Sequence, residues 1–395
     1  MAKNIEDIAT RAIHAGECRG QYADSLTTPI FQTSTFTFSG SKEIEAYTKD
    51  KKDRFEYGRY GNPTQKIAER RLADLEGAED CVVFSSGMNA ITTTILALVR
   101  SGDHIVITDD SYKKTLEFCR SYLKRFGIEC SIVPFGDYDL MEASIKENTR
   151  FIFSESPTNP YLNVFDFERF KTIADRYDLL TIIDSTFATP FNQRPLEYGI
   201  DLVTHSATKY LAGHNDILAG VVLGNRDLIG EVRELHKSMG GLIDPHCCYL
   251  LLRGLKTFPL RVRAQNESAL KVAQYLEAHP QVEKVYYPFL ESHRHYAIAK
   301  EQMTGGGGVV TFDLKGDLND AKMFMDALKM IYIGPSFGGT ESLITHPASV
   351  SYYDYTREER YELGITDTLF RMAVGLESPD DIIADMELGF VAAGR

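Results

Sequence analysis

The chain predicts an α/β protein: a mostly parallel, doubly wound sheet, preceded by an irregular arm and followed by a smaller C-terminal α+β domain. Three observations carry this. Between about residues 64 and 206, short apolar runs alternate with helical stretches, the rhythm of a parallel sheet wrapped by helices. Those runs hold few polar positions, as expected of strands covered on both faces. Past residue 255 the alternation gives way to one long amphipathic stretch and then to mixed strands and helices. A chain of 395 residues suits more than one domain, and we place an arm at 1–60, an α/β domain at 61–255 and an α+β domain at 256–395.

The arm has few periodic segments. "TTPIFQTSTFTF" suits an extended strap, and "KDKKDRFEYGRYGNPT" is charged and then rich in turn formers. A strap that cannot bury itself lies on something else, often a second subunit. The α/β domain begins with the helical "TQKIAERRLADLEGAE", stopped at its glycine. Strand-like "CVVFSS", helix-like "MNAITTTILALVR" and strand-like "HIVIT" follow. A helix is expected from Lys113 to Phe126, then the strand "CSIVPF". "RFIFSES", "FERFKTIADRYD", "LLTIID" and "DLVTHS" continue the alternation. In the last part, "LKTFPLRVRAQNESALKVAQYLEA" reads as the long helix. "VEKVYYP", "GGVVTFDL", "DAKMFMDAL", "LFRMAVGLE" and "PDDIIADMELGF" build the second sheet and its helices, with Gly305 to Gly308 turning into a strand.

Composition narrows the function. A net charge of −13 argues against a nucleic-acid or anionic-membrane surface. Cys18, Cys81, Cys119, Cys130, Cys247 and Cys248 form no Cys-x-x-Cys pair, so they read as reduced thiols of a cytoplasmic protein, with Cys247 and Cys248 facing a helix interior. The opening "MAKNIEDIATRAIHAGE" has no apolar leader, and no run approaches the roughly 18 apolar residues of a membrane span. His293 and His295 in "ESHRHY" lack a carboxylate-rich setting; they read as loop residues, and no metal is expected.

Ligands of open α/β sheets bind beyond the carboxyl ends of the strands. Here those ends carry "SGMNA", "DDSYKKT", "SPTNP", "DSTFATP" and "SATKY". Ser86-Gly87-Met88 at a helix start is either a simple N-cap or an anion seat made of free N–H groups. Ser206 and Thr208 are two apart, so in extended chain their hydroxyls share a face. Asp184 ends an apolar strand and needs a partner there, because a bare buried charge is costly. A protonated ring nitrogen would serve. A lysine, a phosphate grip and a buried acid together match pyridoxal 5′-phosphate (PLP), with Lys209 partly desolvated so that its neutral amine is the nucleophile. Ser206 to Lys209 also fits Ser-x-x-Lys, the serine-nucleophile pattern of class A β-lactamases and penicillin-binding proteins. Their Ser-Asp-Asn and Lys-Thr-Gly partners are missing. Arg371, in an apolar strand, needs an anion, whether a structural carboxylate or a ligand's.

"YGRYGNPT", "SSGMNA", "ESPTNP", "DSTFATP", "HSATKYLAGHND" and "PSFGGTESL" are similar to motifs of the Cys/Met-metabolism PLP-dependent enzymes, and the resemblance covers nearly the whole chain. It implies a fold-type I enzyme acting on small amino acids, commonly a homotetramer built from tight dimers. It makes Lys209 the Schiff-base lysine and Asp184 the pyridinium partner, with Thr186 nearby. Gly87, Met88, Ser206 and Thr208 would hold the phosphate, completed by Tyr57 and Arg59 from the neighbouring subunit. Tyr112 would stack on the ring and assist proton transfer, and Asn159 would contact the phenolic oxygen. Arg371 would clamp the substrate carboxylate, with Ser336 close by.

Two local features resemble the plant-type cystathionine γ-synthase branch. A basic pair, Lys113-Lys114, follows Tyr112 where many relatives have glycine, and Pro335 precedes Ser336 where others place an acid. The implied reaction joins an activated homoserine ester to cysteine. The alternatives are a γ-lyase of a methionine-like or canavanine-like amino acid or of cystathionine, and an O-acylhomoserine sulfhydrylase. By the same analogy Lys114, rather than Lys113, would bind the anionic leaving group; otherwise both are solvated lysines at a helix start.

Overall fold

Seven short, largely apolar runs pair into one sheet: β1 (Asp80–Phe84), β2 (His104–Thr108), β3 (Glu129–Val133), β4 (Thr149–Glu155), β5 (Leu180–Asp184), β6 (Leu202–His205) and β7 (Gly220–Gly224). The computed structural model describes residues 7–17, 20, 22–50 and 54–394. The strand order is β1-β7-β6-β5-β4-β2-β3. β2 to β6 run parallel, and β7 lies antiparallel between β1 and β6. Every residue of β2 and of β7 is buried, the reason these runs carry no polar alternation.

β7 has no counterpart in the sequence reading, because glycine at both ends weakens the strand signal. One of those glycines is required. A Cβ on Gly220 would stand 2.1 Å from the Ser86 carbonyl oxygen, so β7 can pass this turn only without a side chain. The helices Arg226–Met239 and Pro245–Leu255 also went unforeseen.

Helix limits follow local chemistry. The Pro63–Glu76 helix has Asn62 capping the Thr64 N–H at 2.9 Å and Pro63 in its first turn, and it stops at Gly77 in the left-handed region (φ 81°). The helix expected from Lys113 to Phe126 is broken into an α segment (Lys113–Glu117), a π-helical turn (Phe118–Tyr122) and a 3₁₀ turn (Leu123–Phe126). Thr115, Cys119 and Leu123 are all buried. A spacing of four drifts by about 40° per step on an ideal 3.6-residue helix. The wider π turn brings the three side chains back to one face.

The Phe258–Ala278 helix leads into a second sheet made of β8 (Val282–Tyr286), β9 (Val309–Leu314), β10 (Tyr332–Ile333), β11 (Leu343–Thr345) and β12 (Leu369–Ala373). The order is β10-β11-β12-β9-β8, antiparallel except for β10 with β11. One apolar core joins the two sheets: Val83, Val221 and Leu223 of the first, Val262 and Val272 of the long helix, and Phe312 and Phe370 of the second. It therefore crosses the limit we set at residue 255.

The arm is less irregular than its sequence suggests. It holds the helices Ile8–His14 and Ser41–Asp50, with an isolated Thr35–Tyr57 bridge after the extended stretch. Arg11 pairs with Asp74 at 2.6 Å, and Arg71 with Glu17 at 2.9 Å, so its start is tied to the Pro63–Glu76 helix. Leu26 further along remains 89% exposed.

Cys81, Cys119, Cys130, Cys247 and Cys248 are free thiols, and Cys18 lies outside the described residues. Cys248 is buried and Cys247 packs against the same core. No helix among the described residues is long and apolar enough to cross a membrane.

Gly220→Ala is expected to cost about 1–3 kcal/mol through overpacking against Ser86. The thermal midpoint should fall by several degrees, and a calorimetric scan showing no change would contradict this account of β7.

Candidate active site

A cavity of about 250 Å³ opens at the carboxyl ends of β4, β5 and β6. It brings together Lys209, Tyr112, Gly87, Met88, Asn159, Asp184, Thr186, Ser206, Thr208 and Arg371, residues that are scattered along the chain.

Lys209 follows β6 in a buried turn. Its Nζ donates to Ser336 Oγ at 2.9 Å and lies 5.0 Å from the centre of the Phe337 ring. Burial, with help from the Arg371 charge, lowers its pKa from 10.5 to about 8. Ser206 Oγ is not the partner of this amine, so the Ser-x-x-Lys pair is not assembled. The loop that leaves Lys209 is closed at its base: the Thr208 hydroxyl donates to the Ala219 carbonyl (3.1 Å) and accepts from the Ala219 N–H (2.8 Å). The Thr208 hydroxyl is therefore engaged, and Ser206 Oγ is the freer of the two.

Asp184 ends β5 with its carboxyl buried. Oδ1 accepts from the Thr186 N–H at 3.0 Å and from the Thr186 hydroxyl, while Oδ2 takes no recorded partner among the described residues. Burial raises its pKa, opposed by the Thr186 donors. The Thr186 oxygen in turn accepts the Ser206 N–H at 2.8 Å, locking the ends of β5 and β6 together.

The N-cap reading of Ser86-Gly87-Met88 holds, and it leaves the donors an anion seat would use. Ser86 Oγ caps the Gly87–Leu98 helix by accepting the Asn89 N–H at 3.1 Å. The Gly87 and Met88 N–H groups have no hydrogen-bond partner among the described residues, leaving donors at the positive end of a helix. A Cβ on Gly87 would meet the Ser206 Cβ at 2.9 Å, so only glycine lets the two strand ends approach.

Arg371, in β12, comes from the second sheet. Its Nη1 donates to Asn159 Oδ1 at 3.0 Å, its Cζ lies 5.4 Å from the Phe337 ring centre, and its Nε is buried without a partner. Burial lowers its pKa to about 10. No ion pair among the described residues includes it, which favours a ligand's anion over a structural carboxylate. Asn159 sits in a turn fixed from below: Thr158 and Asn163 each donate to Asp110 Oδ2 at 2.6 Å. Burial pushes the Asp110 carboxyl up to about 7.

Glu155 was missed by the sequence reading. It ends β4 in register with Asp184, lines the cavity, and its Oε2 accepts the Tyr112 N–H at 2.8 Å. Burial and the Asp184 charge raise its pKa well above the usual range. The signal was available: an acid at a strand end, the same signal that exposed Asp184. Leu218, Pro335, Phe187 and Phe337 complete the walls, the two phenyl rings stacked at 4.2 Å.

Three expected site residues do not line this cavity, two of them, Tyr57 and Arg59, being expected to serve a neighbouring subunit's site. Arg59 packs on the Tyr60 ring at 4.8 Å and donates to the Lys237 carbonyl. Lys114 is exposed and pairs with Glu117 at 2.6 Å. His293 and His295 anchor the neighbouring loop, bonding to the Tyr161 carbonyl and the Val164 N–H, each at 3.3 Å.

A buried carboxylate with an unspent oxygen, an amine whose pKa burial has lowered and a glycine-floored turn with two free N–H groups fit PLP. Fold and site together define a PLP-dependent enzyme of fold-type I.

The comparisons agree. The profile of the Cys/Met metabolism PLP-dependent enzyme family matches residues 9–391, and the chain belongs to that family. It is 47% identical over 378 residues to cystathionine gamma-synthase 1, chloroplastic, of Nicotiana tabacum, covering 95% of this chain and 70% of that protein. It is 41% identical to L-methionine gamma-lyase of Fusobacterium nucleatum subsp. nucleatum, covering 98% of this chain and 99% of that one. Among solved structures, cystathionine gamma-lyase from Lactobacillus plantarum complexed with L-serine superposes with a TM-score of 0.91 at 36% identity, over 98% of this chain and 99% of that one.

In the cofactor-free protein, condensation of PLP with Lys209 should speed up as pH rises through about 8, where the amine loses its proton. Arg371→Leu removes a cation that favours this loss and should shift the rise to higher pH. Stopped-flow absorbance of the yellow product reads both; an unmoved midpoint would contradict the coupling.

Proposed function

We propose that this enzyme is a cystathionine γ-synthase, joining an activated homoserine ester to L-cysteine to give L-cystathionine. The observation that carries the reading is the likeness to plant cystathionine gamma-synthases, 47% and 46% identical over 95% of the chain, against 41% for methionine gamma-lyases. The basic pair after Tyr112 and the apolar Pro335 and Leu218 on the cavity wall support it.

Bound PLP supplies an electron sink for negative charge developing at the substrate Cα. The residues of this chain do the rest. Asp184 Oδ2, left open while Oδ1 is held by Thr186, would pair with the ring nitrogen and favour its protonated form. The Gly87 and Met88 N–H groups and the Ser206 hydroxyl would receive the phosphate, while Thr208, whose proton goes to the Ala219 carbonyl, would brace the loop behind them. Asn159 would contact the phenolic oxygen, and Tyr112 would cover the ring. The unpartnered Nε of Arg371 and its guanidinium edge receive the α-carboxylate as a fork. That places Cα near Lys209, since both cations lie on the Phe337 ring. With a pKa of about 8, Lys209 can take the Cα proton and return it along the chain near neutral pH. Ser336 holds the amine in place. Lys114 leaves Glu117 to meet the anionic leaving group.

The exposed arm fits a homotetramer of tight dimers, in which Tyr57 and Arg59 of a second copy close the phosphate grip. The free thiols suit the reducing cytoplasm.

Purified enzyme should be given phospho-, succinyl- and acetyl-homoserine, each with and without cysteine, and cystathionine and 2-oxobutanoate followed separately. Cystathionine formed at the expense of the oxo acid is expected. Oxo acid without cystathionine would establish a lyase, and a sulfide-only requirement a sulfhydrylase. Lys114→Ala should raise KM for the preferred ester about tenfold, the loss of one charge-assisted contact. Subunits bearing Arg59→Ala and Lys209→Ala should regain activity when refolded together, because hybrid dimers contain one intact site. Inactive hybrids would remove the arm from the neighbouring site.

A further inference from the structure

We infer that Lys113 is a positioning residue: it latches the chain segment carrying Tyr112 to residues 351–355 of the C-terminal half, which back the Arg371 clamp. Tyr112 and Lys113 are neighbours with different surroundings. Tyr112 lines the cavity. The Lys113 ammonium donates to the Ser351 carbonyl at 2.9 Å and to Asp354 Oδ1 at 2.6 Å. It also lies 4.5 Å from the centre of the Tyr355 ring and 5.4 Å from that of Tyr352. Charge, hydrogen bond and ring contacts converge on one ammonium.

Both sides of the latch lead to the cavity. On one side, the short Lys113–Glu117 helix starts without a side-chain cap, and the Tyr112 N–H is held by Glu155. A helix start this lightly fixed depends on its tertiary ties. On the other side, Tyr352 packs against the cluster of Ala348, Ile365 and Leu369. Leu369 opens β12 two residues before Arg371, and the Tyr352 hydroxyl feels the charges of Glu155 and Arg371. Lys113 therefore ties two walls that come from different sheets, one bearing Tyr112 and the other the carboxylate clamp. The sequence reading set Lys113 aside in favour of Lys114. Its engagement with Asp354 explains why it is not the free cation at this mouth.

The inference rests on the enzyme binding an amino-acid carboxylate at Arg371, not on which substrate it prefers. The chain contains no tryptophan, so Tyr353→Trp, at an exposed position in the segment, gives a single reporter in the PLP-loaded enzyme. In that background, Lys113→Met keeps the length of the side chain and removes its charge. Lower tryptophan anisotropy is expected, with KM for the amino acid raised about tenfold and kcat changed by less than about threefold. Lys113→Arg should restore both, because a guanidinium can make the same bonds and stack on Tyr355. Asp354→Asn should reproduce part of the loss, and adding Lys113→Met to it should cost less than the sum.

Unchanged anisotropy and KM would overturn the inference, as would equal losses in KM and kcat that Arg does not rescue. Strict additivity of the two substitutions would do the same. If the parent enzyme made no cystathionine, KM would be read on the substrate it does use. The γ-synthase proposal would then fail while the latch is still tested.

Discussion

Two basic groups, Lys209 and Arg371, lie 5.0 and 5.4 Å from the centre of the Phe337 ring, with no carboxylate bridging them among the described residues. Desolvation and mutual repulsion both work against this arrangement, and the surrounding structure answers each. Lys209 yields by losing its proton more readily. Arg371 cannot yield in the same way near neutral pH, and its guanidinium hydrogen-bonds to the neutral Asn159 and to no carboxylate among the described residues. Stability alone would favour a carboxylate in that place. Its absence leaves a standing attraction for an incoming anion, and it keeps the amine beside it in a nucleophilic form. The two sheets meet so that this pair can exist, because each contributes one cation.

The acids are arranged with the same economy. Asp184 and Glu155 are register partners at the ends of β5 and β4, yet they are solvated differently. Asp184 receives two donors from Thr186, which favour its charged form. Glu155 receives one backbone N–H and sits beside the Asp184 charge, which favours its neutral form. Burial pushes both carboxyls up, Asp184 against two Thr186 donors and Glu155 further beside the Asp184 charge, and Glu155 fixes the backbone at Tyr112.

Much of this was legible in the sequence, for identifiable reasons. Covered strands are largely apolar, so six of the seven strands of the first sheet announced themselves, and their carboxyl ends pointed to Asp184, Lys209 and Ser86-Gly87-Met88. β7 stayed hidden because the close passage at Ser86 demands glycine, the residue that reads as a break. The helix after Tyr112 had the right residues but the wrong spacing, and a π turn absorbed the misfit. Glu155 was overlooked inside a motif read as a turn. The orientation of the Lys113-Lys114 pair could not be read from one stretch. Glu117 lies three residues from Lys114, but Asp354 is brought to Lys113 only by the fold.

The base of the loop after Lys209 has a consequence for how this active site can diversify. Thr208 and Ala219 are fastened through both the N–H and the carbonyl of Ala219, so the ends of the intervening segment are fixed whatever lies between them. Leu218, just inside that fastening, lines the cavity yet is 66% exposed. Its side chain can be exchanged without disturbing the lysine at the other end of the loop. The wall and the amine thus sit on one loop but answer to different constraints: a new side chain at Leu218 would reshape what the pocket admits while the fastening at Thr208 still holds the lysine in place.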